Sequence, residues 1–170
     1  MLDILDIHTH TIASGHAYNT IYEMAQSASR KGLALLGISD HGPAMEGSAS
    51  KHYFRSGRCI PRELYGVKIL FGCELNIMDY DGGIDLDEVF ASPLDYGIAS
   101  LHDVCITPGS RAENTRAYLK AMENPKVHII GHPDDGTYDI YTMVTILSLE
   151  DAEIYYTTDG SDPETNGVPY

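Results

Sequence analysis

Five short apolar runs of the sequence are each followed closely by a histidine or a glutamate. The runs are residues 2–7, 33–38, 67–73, 96–101 and 127–131. The residues that follow them are His8 with His10, then His41, Glu74, His102 and His132. Imidazole nitrogens combined with a carboxylate suit zinc, with manganese or iron as alternatives. The pattern therefore predicts a metal centre.

His8 and His10 form the most specific pair. Residues i and i+2 of a strand point to the same side, so His-x-His presents two imidazoles to one ion. Glu74 closes an apolar run, where a carboxylate is costly unless it is paired or ligating. Its two oxygens can bridge two metals about 3.5–4 Å apart, the spacing of hydrolytic two-metal sites. We therefore predict that Glu74 is shared between two ions.

The remaining histidines fall into two groups. His16 follows the first of these runs and joins the predicted ligands. His52 lies in a predicted polar loop and His128 at the opposite end of its strand, so we expect both to be ordinary histidines. Asp6 and Asp40 lie close to predicted ligands and either accept a ring N–H or are ordinary strand-end acids.

The intervals between these residues indicate the elements that position them. From residue 8 to 41, 74, 102 and 132 the intervals are 33, 33, 28 and 30 residues. A strand, a helix and two loops take roughly 30 residues. A capping box at 20–23 with a stop at Gly32 predicts one helix, and residues 112–123 predict a second. Residues 42–66 predict a long loop with at most a short helix. In a parallel α/β barrel all these strand ends meet at one mouth.

The composition excludes several classes of protein. The chain has 170 residues, with 25 acidic and 11 basic side chains and a net charge of −14, so nucleic acid is a poor partner. No apolar run approaches the roughly 20 residues of a membrane helix. The first residues carry no basic segment typical of a secretory signal. We therefore expect a cytoplasmic protein that does not bind membranes.

The motifs around the predicted ligands resemble those of a known superfamily. They are residues 6–11 (DIHTHT), 13–18 (ASGHAY), 39–43 (SDHGP) and 127–133 (VHIIGHP). They are similar to the PHP (polymerase and histidinol phosphatase) superfamily, in particular its small stand-alone phosphatases with three zinc ions. The resemblance covers about residues 1–145. It implies a distorted seven-stranded (β/α) barrel with metals at its mouth.

The resemblance also implies a role for each residue. The implied metal sets are His8, His10 and Glu74 for one zinc ion, Glu74, His102 and His132 for a second, and His16 with His41 for a third. Glu74, His102 and His132 would also be the catalytic residues. A metal-bound hydroxide would attack the phosphorus of a small phosphomonoester. Arg58 and Arg62 either bind the phosphate or are solvated surface arginines.

The end of the chain departs from this family. The family pattern needs an Asp-x-His on its last strand, and no histidine follows His132. Five βα units are also fewer than seven, so we expect an incomplete α/β barrel over residues 1–145. We expect residues 146–170 to be an acidic tail of different origin, with a gene fusion, a truncation or an assembly junction near residue 145 as the alternatives. Within the tail, residues 153–158 favour a β-strand before a turn. This tail resembles the hairpin of chitobiase C-terminal-like modules.

Several functions fit these features. The leading interpretation is a zinc-dependent phosphoesterase that acts on a small phosphorylated metabolite. A histidinol-phosphate phosphatase and a non-catalytic metal-binding remnant of a barrel are the alternatives. A polymerase-associated exonuclease is the weakest candidate, because the charge of −14 opposes DNA binding. The open edges of an incomplete barrel favour self-association.

Overall fold

The structure is a computed structural model of the chain and describes residues 4–133, 155–156 and 168–169. The chain divides into two compact units, residues 1–138 and residues 139–170. The boundary predicted near residue 145 lies outside the described residues. No helix within the described ranges is both long enough and apolar enough to cross a membrane.

The first unit is built on a six-stranded sheet. Its strands are β1 (Leu5–Asp6), β2 (Leu35–Ile38), β3 (Glu63–Leu64), β4 (Val67–Asn76), β5 (Tyr96–Ser100) and β6 (Ile129–Ile130). The strands in the order β1-β2-β4-β5-β6 are all parallel, and the short β3 pairs antiparallel with β4. These five parallel strands confirm the predicted α/β class and the incomplete barrel of about five βα units.

Strand β4 is the longest of the described strands, and its two halves pair with different neighbours. Residues 68–71 pair with β2, whereas residues 72–76 pair with β5. Such a stagger between successive strands is what a sheet needs in order to curve into a barrel. Because of this second pairing, β4 continues to Asn76, three residues beyond the predicted end. Glu74 therefore lies inside the strand and not after it.

The two long helices lie close to the predicted ones, and the second ends two residues earlier than predicted. Helix α1 (Ile21–Lys31) begins at the capping box formed by Thr20 and Glu23, and it ends at Gly32, whose φ of 80° favours glycine. The helix predicted at 112–123 is α4 (Arg111–Ala121), which begins at a second capping box between Ser110 and Glu113. Both helices connect parallel strands, as a βα repeat requires.

The other connections contain shorter helices. Helix α2 (Lys51–Arg55) and the 3-10 turn Ser56–Cys59 lie within the predicted long loop at 42–66, and α3 (Glu88–Ala91) precedes β5. The prediction that His52 lies in a loop was wrong, because it is the second residue of α2. There its ring meets the ring of Phe90 edge to face at 5.6 Å.

Buried residues separate into an apolar core and a polar layer. The fully buried side chains of the core include those of Phe54, Phe71, Leu36 and Ile38. The polar layer follows the carboxyl ends of the strands and consists of Thr9, Thr11, Ser14, Ser39, Asp40, His41, Glu74, Asn76 and Ser100. Because burying polar groups is costly unless they are bonded, this layer marks the functional region.

The second unit contains a pair of short strands. Strand β7 (Tyr155–Tyr156) pairs antiparallel with β8 (Val168–Pro169), with Tyr155 opposite Pro169. Strand β7 lies within the run that the sequence predicted as β-type at 153–158. The two strands are consistent with the predicted hairpin.

Candidate metal centre

The carboxyl ends of the parallel strands bring the predicted ligands to one place. His8 and His10 follow β1, His41 follows β2, Glu74 lies near the end of β4, His102 follows β5 and His132 follows β6. An isolated parallel bridge joins His41 to Glu74 just beyond the end of β2. Parallel strands share one carboxyl edge, so residues distant in sequence meet there.

Glu74 lies at the centre of this cluster and is fully buried. Its carboxylate lies within 3.4 Å of five imidazole nitrogens. They are His41 Nδ1 at 2.9 Å, His8 Nε2 and His132 Nε2 at 3.2 Å, His10 Nε2 at 3.3 Å and His102 Nε2 at 3.4 Å. Nitrogen and oxygen ligand atoms therefore converge on a single point of the sheet edge.

The two oxygens of Glu74 face different histidines. Oε2 faces His10 and His41, and these three residues could hold one ion; we call them the inner group. Oε1 faces His8 and His132, and these residues with Glu74 form the outer group. His102 also faces Oε1. The division differs from the implied one, which placed His8 together with His10.

His16 lies beside the inner group. Its ring centroid is 4.8 Å from that of His41 and 5.7 Å from that of His10. His16 itself is exposed. The structure therefore brings His16 and His41 together, and their shared ion stays a prediction.

Unsatisfied polar atoms test whether this cluster fits a metal ion. Within the part of the chain that the structure describes, three buried ligand atoms make no hydrogen bond of acceptable geometry, although each lies within 3.3 Å of another ligand atom. They are His8 Nε2, His41 Nδ1 and Glu74 Oε2. Buried polar atoms that lack a good hydrogen bond are destabilising, and one cation in each group would satisfy all three. The donor set of imidazoles and one carboxylate fits zinc or a similar ion.

The charge states of Glu74 and His41 also suit metal binding. Burial alone would raise the pKa of the Glu74 carboxyl, but the surrounding imidazoles hold that pKa well below its usual range. Contact with Glu74 raises the pKa of His8. Burial lowers the pKa of His41 despite its contact with Glu74, which keeps this ring neutral. Metal binding requires ionised carboxylates and neutral imidazoles.

One hydroxyl group positions the two histidines of the inner group. Ser14 Oγ lies 3.0 Å from Nδ1 of His10, accepts a hydrogen bond from the His41 backbone N–H at 3.1 Å, and donates to Asp40 at 2.7 Å. Asp40 also accepts hydrogen bonds from Thr11 and from the hydroxyl of Tyr53. Asp40 thus acts on His10 through Ser14 and not by direct contact with a ring.

Sequence reasoning missed three residues that hold the ligands. They are Ser14, Ser100, which donates to Glu74 Oε1 at 2.6 Å, and Asn76, whose Oδ1 lies 2.7 Å from Nδ1 of His102. Two signals were available: Asn76 stands two residues after Glu74 on the same strand, and Ser100 is polar within an apolar run. Asp6 contacts the His8 backbone N–H at 3.4 Å and not its ring.

The two arginines predicted to bind phosphate lie elsewhere. Arg62 forms an ion pair with Asp95, the residue that directly precedes β5. Arg58 is exposed and lies close to Pro93, which leads into the same end of β5. Both side chains therefore lie toward the amino ends of the strands, opposite the edge that carries Glu74. The alternative interpretation, solvated surface arginines, is the one that this placement favours.

Comparison with known families agrees with this geometry. The PHP domain family matches residues 6–151, a range that contains the inner group, the outer group, His16 and His102. The chain belongs to the PHP domain family. The Chitobiase/beta-hexosaminidase C-terminal domain matches residues 133–170, beyond the metal centre of the PHP domain. Both predicted resemblances are thereby confirmed.

Several similar proteins are longer than this PHP domain chain. A probable phosphatase of Clostridium novyi is 44% identical over 97% of the chain and 68% of its own length. A probable phosphatase of Clostridium botulinum is 46% identical over 89% of the chain and 62% of its own length. A probable phosphatase of Caldicellulosiruptor saccharolyticus is 50% identical over 80% of the chain and 57% of its own length. The chain thus spans 57 to 68% of the length of these relatives.

Proposed function

We propose that this PHP domain holds divalent metal ions around Glu74 and hydrolyses a small phosphomonoester. The observation that carries the proposal is a fully buried carboxylate with five imidazole nitrogens within 3.4 Å. The relatives, which are named as probable phosphatases, support the class of reaction.

In this proposal Glu74 serves two ions with its two oxygens. Oε2 completes the inner group with His10 and His41, and Oε1 completes the outer group with His8 and His132. The ionised state of Glu74 and the neutral state of His41 leave their lone pairs available. Zinc is the ion that this donor set suits best, and His16 would help to hold a third.

The protein itself positions the ligand side chains and leaves a path for the substrate. Divalent ions, when bound, would stabilise the charge on phosphoryl oxygens and supply a nucleophile at neutral pH. Ser14, Ser100 and Asn76 fix the ligand side chains, so little reorganisation accompanies binding. His132 is the most exposed histidine of the two groups, so a phosphomonoester would approach from the outer group.

The experiment is metal reconstitution followed by a substrate panel. The purified chain is stripped with a chelator, reloaded with zinc, manganese or iron(II), and assayed on p-nitrophenyl phosphate and on phosphomonoesters that include histidinol phosphate. We expect hydrolysis that depends on metal and is lost in Glu74→Gln. The exposed His52 on α2 provides the control, and His52→Ala should keep full activity.

Two results would contradict the proposal. Tightly bound metal without hydrolysis of any ester in the panel would contradict the phosphatase activity and favour the non-catalytic remnant. Hydrolysis that survives chelation and Glu74→Gln would contradict the assignment of the activity to this centre. Preference for histidinol phosphate within the panel would identify the substrate while supporting the reaction class.

A further inference from the structure

Asn76 lies between two ligand-bearing parts of the metal centre. It stands two residues after Glu74 on β4, so both side chains project from the same face of the strand. Asn76 is fully buried, and its Oδ1 lies 2.7 Å from Nδ1 of His102. The other ring nitrogen of His102, Nε2, faces Glu74 at 3.4 Å. The two nitrogens of this ring therefore have separate partners.

The second side-chain atom of Asn76 determines which way its amide points. Nδ2 donates to Asp85 Oδ2 at 2.6 Å and to the carbonyl oxygen of Gly42 at 3.2 Å. Both partners are acceptors, so the NH₂ group must face them and the amide oxygen must face His102. An amide oxygen only accepts, so Nδ1 of His102 carries the proton. In the neutral ring, Nε2 then carries the lone pair on the side that faces Glu74.

Asp85 holds this amide from outside the cluster. Its Oδ1 accepts the backbone N–H of Asn76 at 3.0 Å, and its Oδ2 also accepts the backbone N–H of Ala44 at 2.9 Å. Gly42 leaves room for this carboxylate, because a Cβ at Gly42 would overlap it. Asp85 therefore ties the loop after β2 to the end of β4.

We propose that Asn76 and Asp85 are positioning residues that fix the tautomer and orientation of His102 for metal binding. The inference rests on the proposed function, and it adds His102, which faces Glu74 Oε1, to the ligands of that centre. Asp85 acts on His102 through Asn76, and Asn76 acts through the Nδ1 proton. Partners of this kind set the tautomer of ligand histidines, and their loss typically costs about 10–100-fold in metal affinity.

The first test reads the tautomer of His102 directly. Long-range ¹H–¹⁵N spectra of the metal-free full chain at pH 8 should show His102 protonated at Nδ1. Asn76→Leu removes the acceptor and should move the proton toward Nε2. Asn76→Asp keeps an acceptor and should keep the Nδ1–H form, although it places a second carboxylate beside Asp85. If Asn76 only supported packing, Asn76→Asp should disturb the His102 tautomer more than Asn76→Leu, because a buried charge is the more disruptive change.

The second variant and a control separate positioning from packing. Asp85→Asn places an NH₂ group among three N–H donors, so the Asn76 amide should lose its fixed orientation and His102 should populate both tautomers. Asn114 is equally buried but lies on α4, where its Oδ1 accepts the backbone N–H of Gly109. Asn114→Leu should leave the His102 spectrum unchanged.

Zinc affinity, measured by competition with a chromophoric chelator, completes the test. Asn76→Leu and Asp85→Asn should weaken one zinc equivalent about 10–100-fold, whereas Asn114→Leu should not. An Asn76→Leu protein that keeps Nδ1–H and the wild-type affinity would overturn the inference. If the wild-type chain shows the expected tautomers and affinities but no hydrolysis, the proposed function fails and the positioning role stands.

Discussion

The inner and outer groups share Glu74 but are held in different ways. The inner side chains of His41 and His10 are 7% and 21% exposed, whereas the outer ones of His8 and His132 are 30% and 42% exposed. Ser14 contacts both inner histidines. The outer His132 follows β6, a two-residue strand at the edge of the sheet.

This difference indicates how one carboxylate can serve two purposes. Ligands that are fixed before a metal arrives lose little freedom when it binds, so the inner group should bind the first ion. The outer group is more accessible and should bind the ion that meets the substrate. We therefore regard Glu74 as the bridge between a preformed position and an accessible one. The predictions below test that contrast.

The largest effect is expected for Glu74→Gln. The change keeps the shape of the side chain but removes its charge and one acceptor oxygen, so both groups should fail together with a loss of roughly two metal equivalents. Elemental analysis after gel filtration measures the loss. Retention of one full equivalent would show that Glu74 is not shared.

Substitutions of single histidines should distinguish the metal affinities of the two groups. Because the inner group is the more rigid, His41→Ala should abolish binding of the first ion, and His132→Ala should mainly weaken the second. Zinc titration calorimetry on both variants measures the two affinities. Identical losses of the first ion in the two variants would contradict the order of binding.

Ser14→Ala should have a smaller effect confined to the inner group. The variant removes the acceptor beside the His10 ring and the His41 backbone, and we expect the first ion to bind about 10–100-fold more weakly. The control is Ser56→Ala, whose exposed hydroxyl donates to the His52 carbonyl on α2. A drop in affinity for both ions alike would indicate a general loss of packing.

The smallest expected effect is a difference in pH dependence. Protons compete with metal for ring nitrogens, and a raised pKa means that the proton binds at higher pH. Contact with Glu74 raises the pKa of His8, whereas burial lowers that of His41. As pH falls from 8 to 5, the outer group should therefore release its ion before the inner group. Zinc retained at each pH after dialysis measures the order, and simultaneous release would contradict it.

The sequence predicted the ligand types and the strands that carry them. Buried parallel strands appear as continuous apolar runs, and a polar residue at the end of such a run is conspicuous. The end of β4 was missed, because it depends on the pairing of residues 72–76 with β5, and pairing is a tertiary property. For the same reason the sequence could not show which histidines face each oxygen of Glu74, His10 and His41 at Oε2 and His8 and His132 at Oε1.

The supporting residues were harder to predict than the ligands. Ser14 and Asp40 are 26 residues apart, and Asn76 and His102 are also 26 residues apart, so no local pattern reveals either contact. Arg62 is close to the ligands in sequence but not in space. It stands in a segment adjacent to ligand-bearing strands, but the antiparallel β3 keeps it near the beginning of β4, where Asp95 pairs with it.

Anomalous diffraction at the zinc edge tests the central claim most directly. Crystals of the wild-type chain would be grown with one equivalent of zinc and then with an excess. The account predicts a first peak at Glu74 Oε2 between His10 and His41, and a second at Oε1 between His8 and His132. A first peak in the outer group, or two peaks that do not share Glu74, would contradict it.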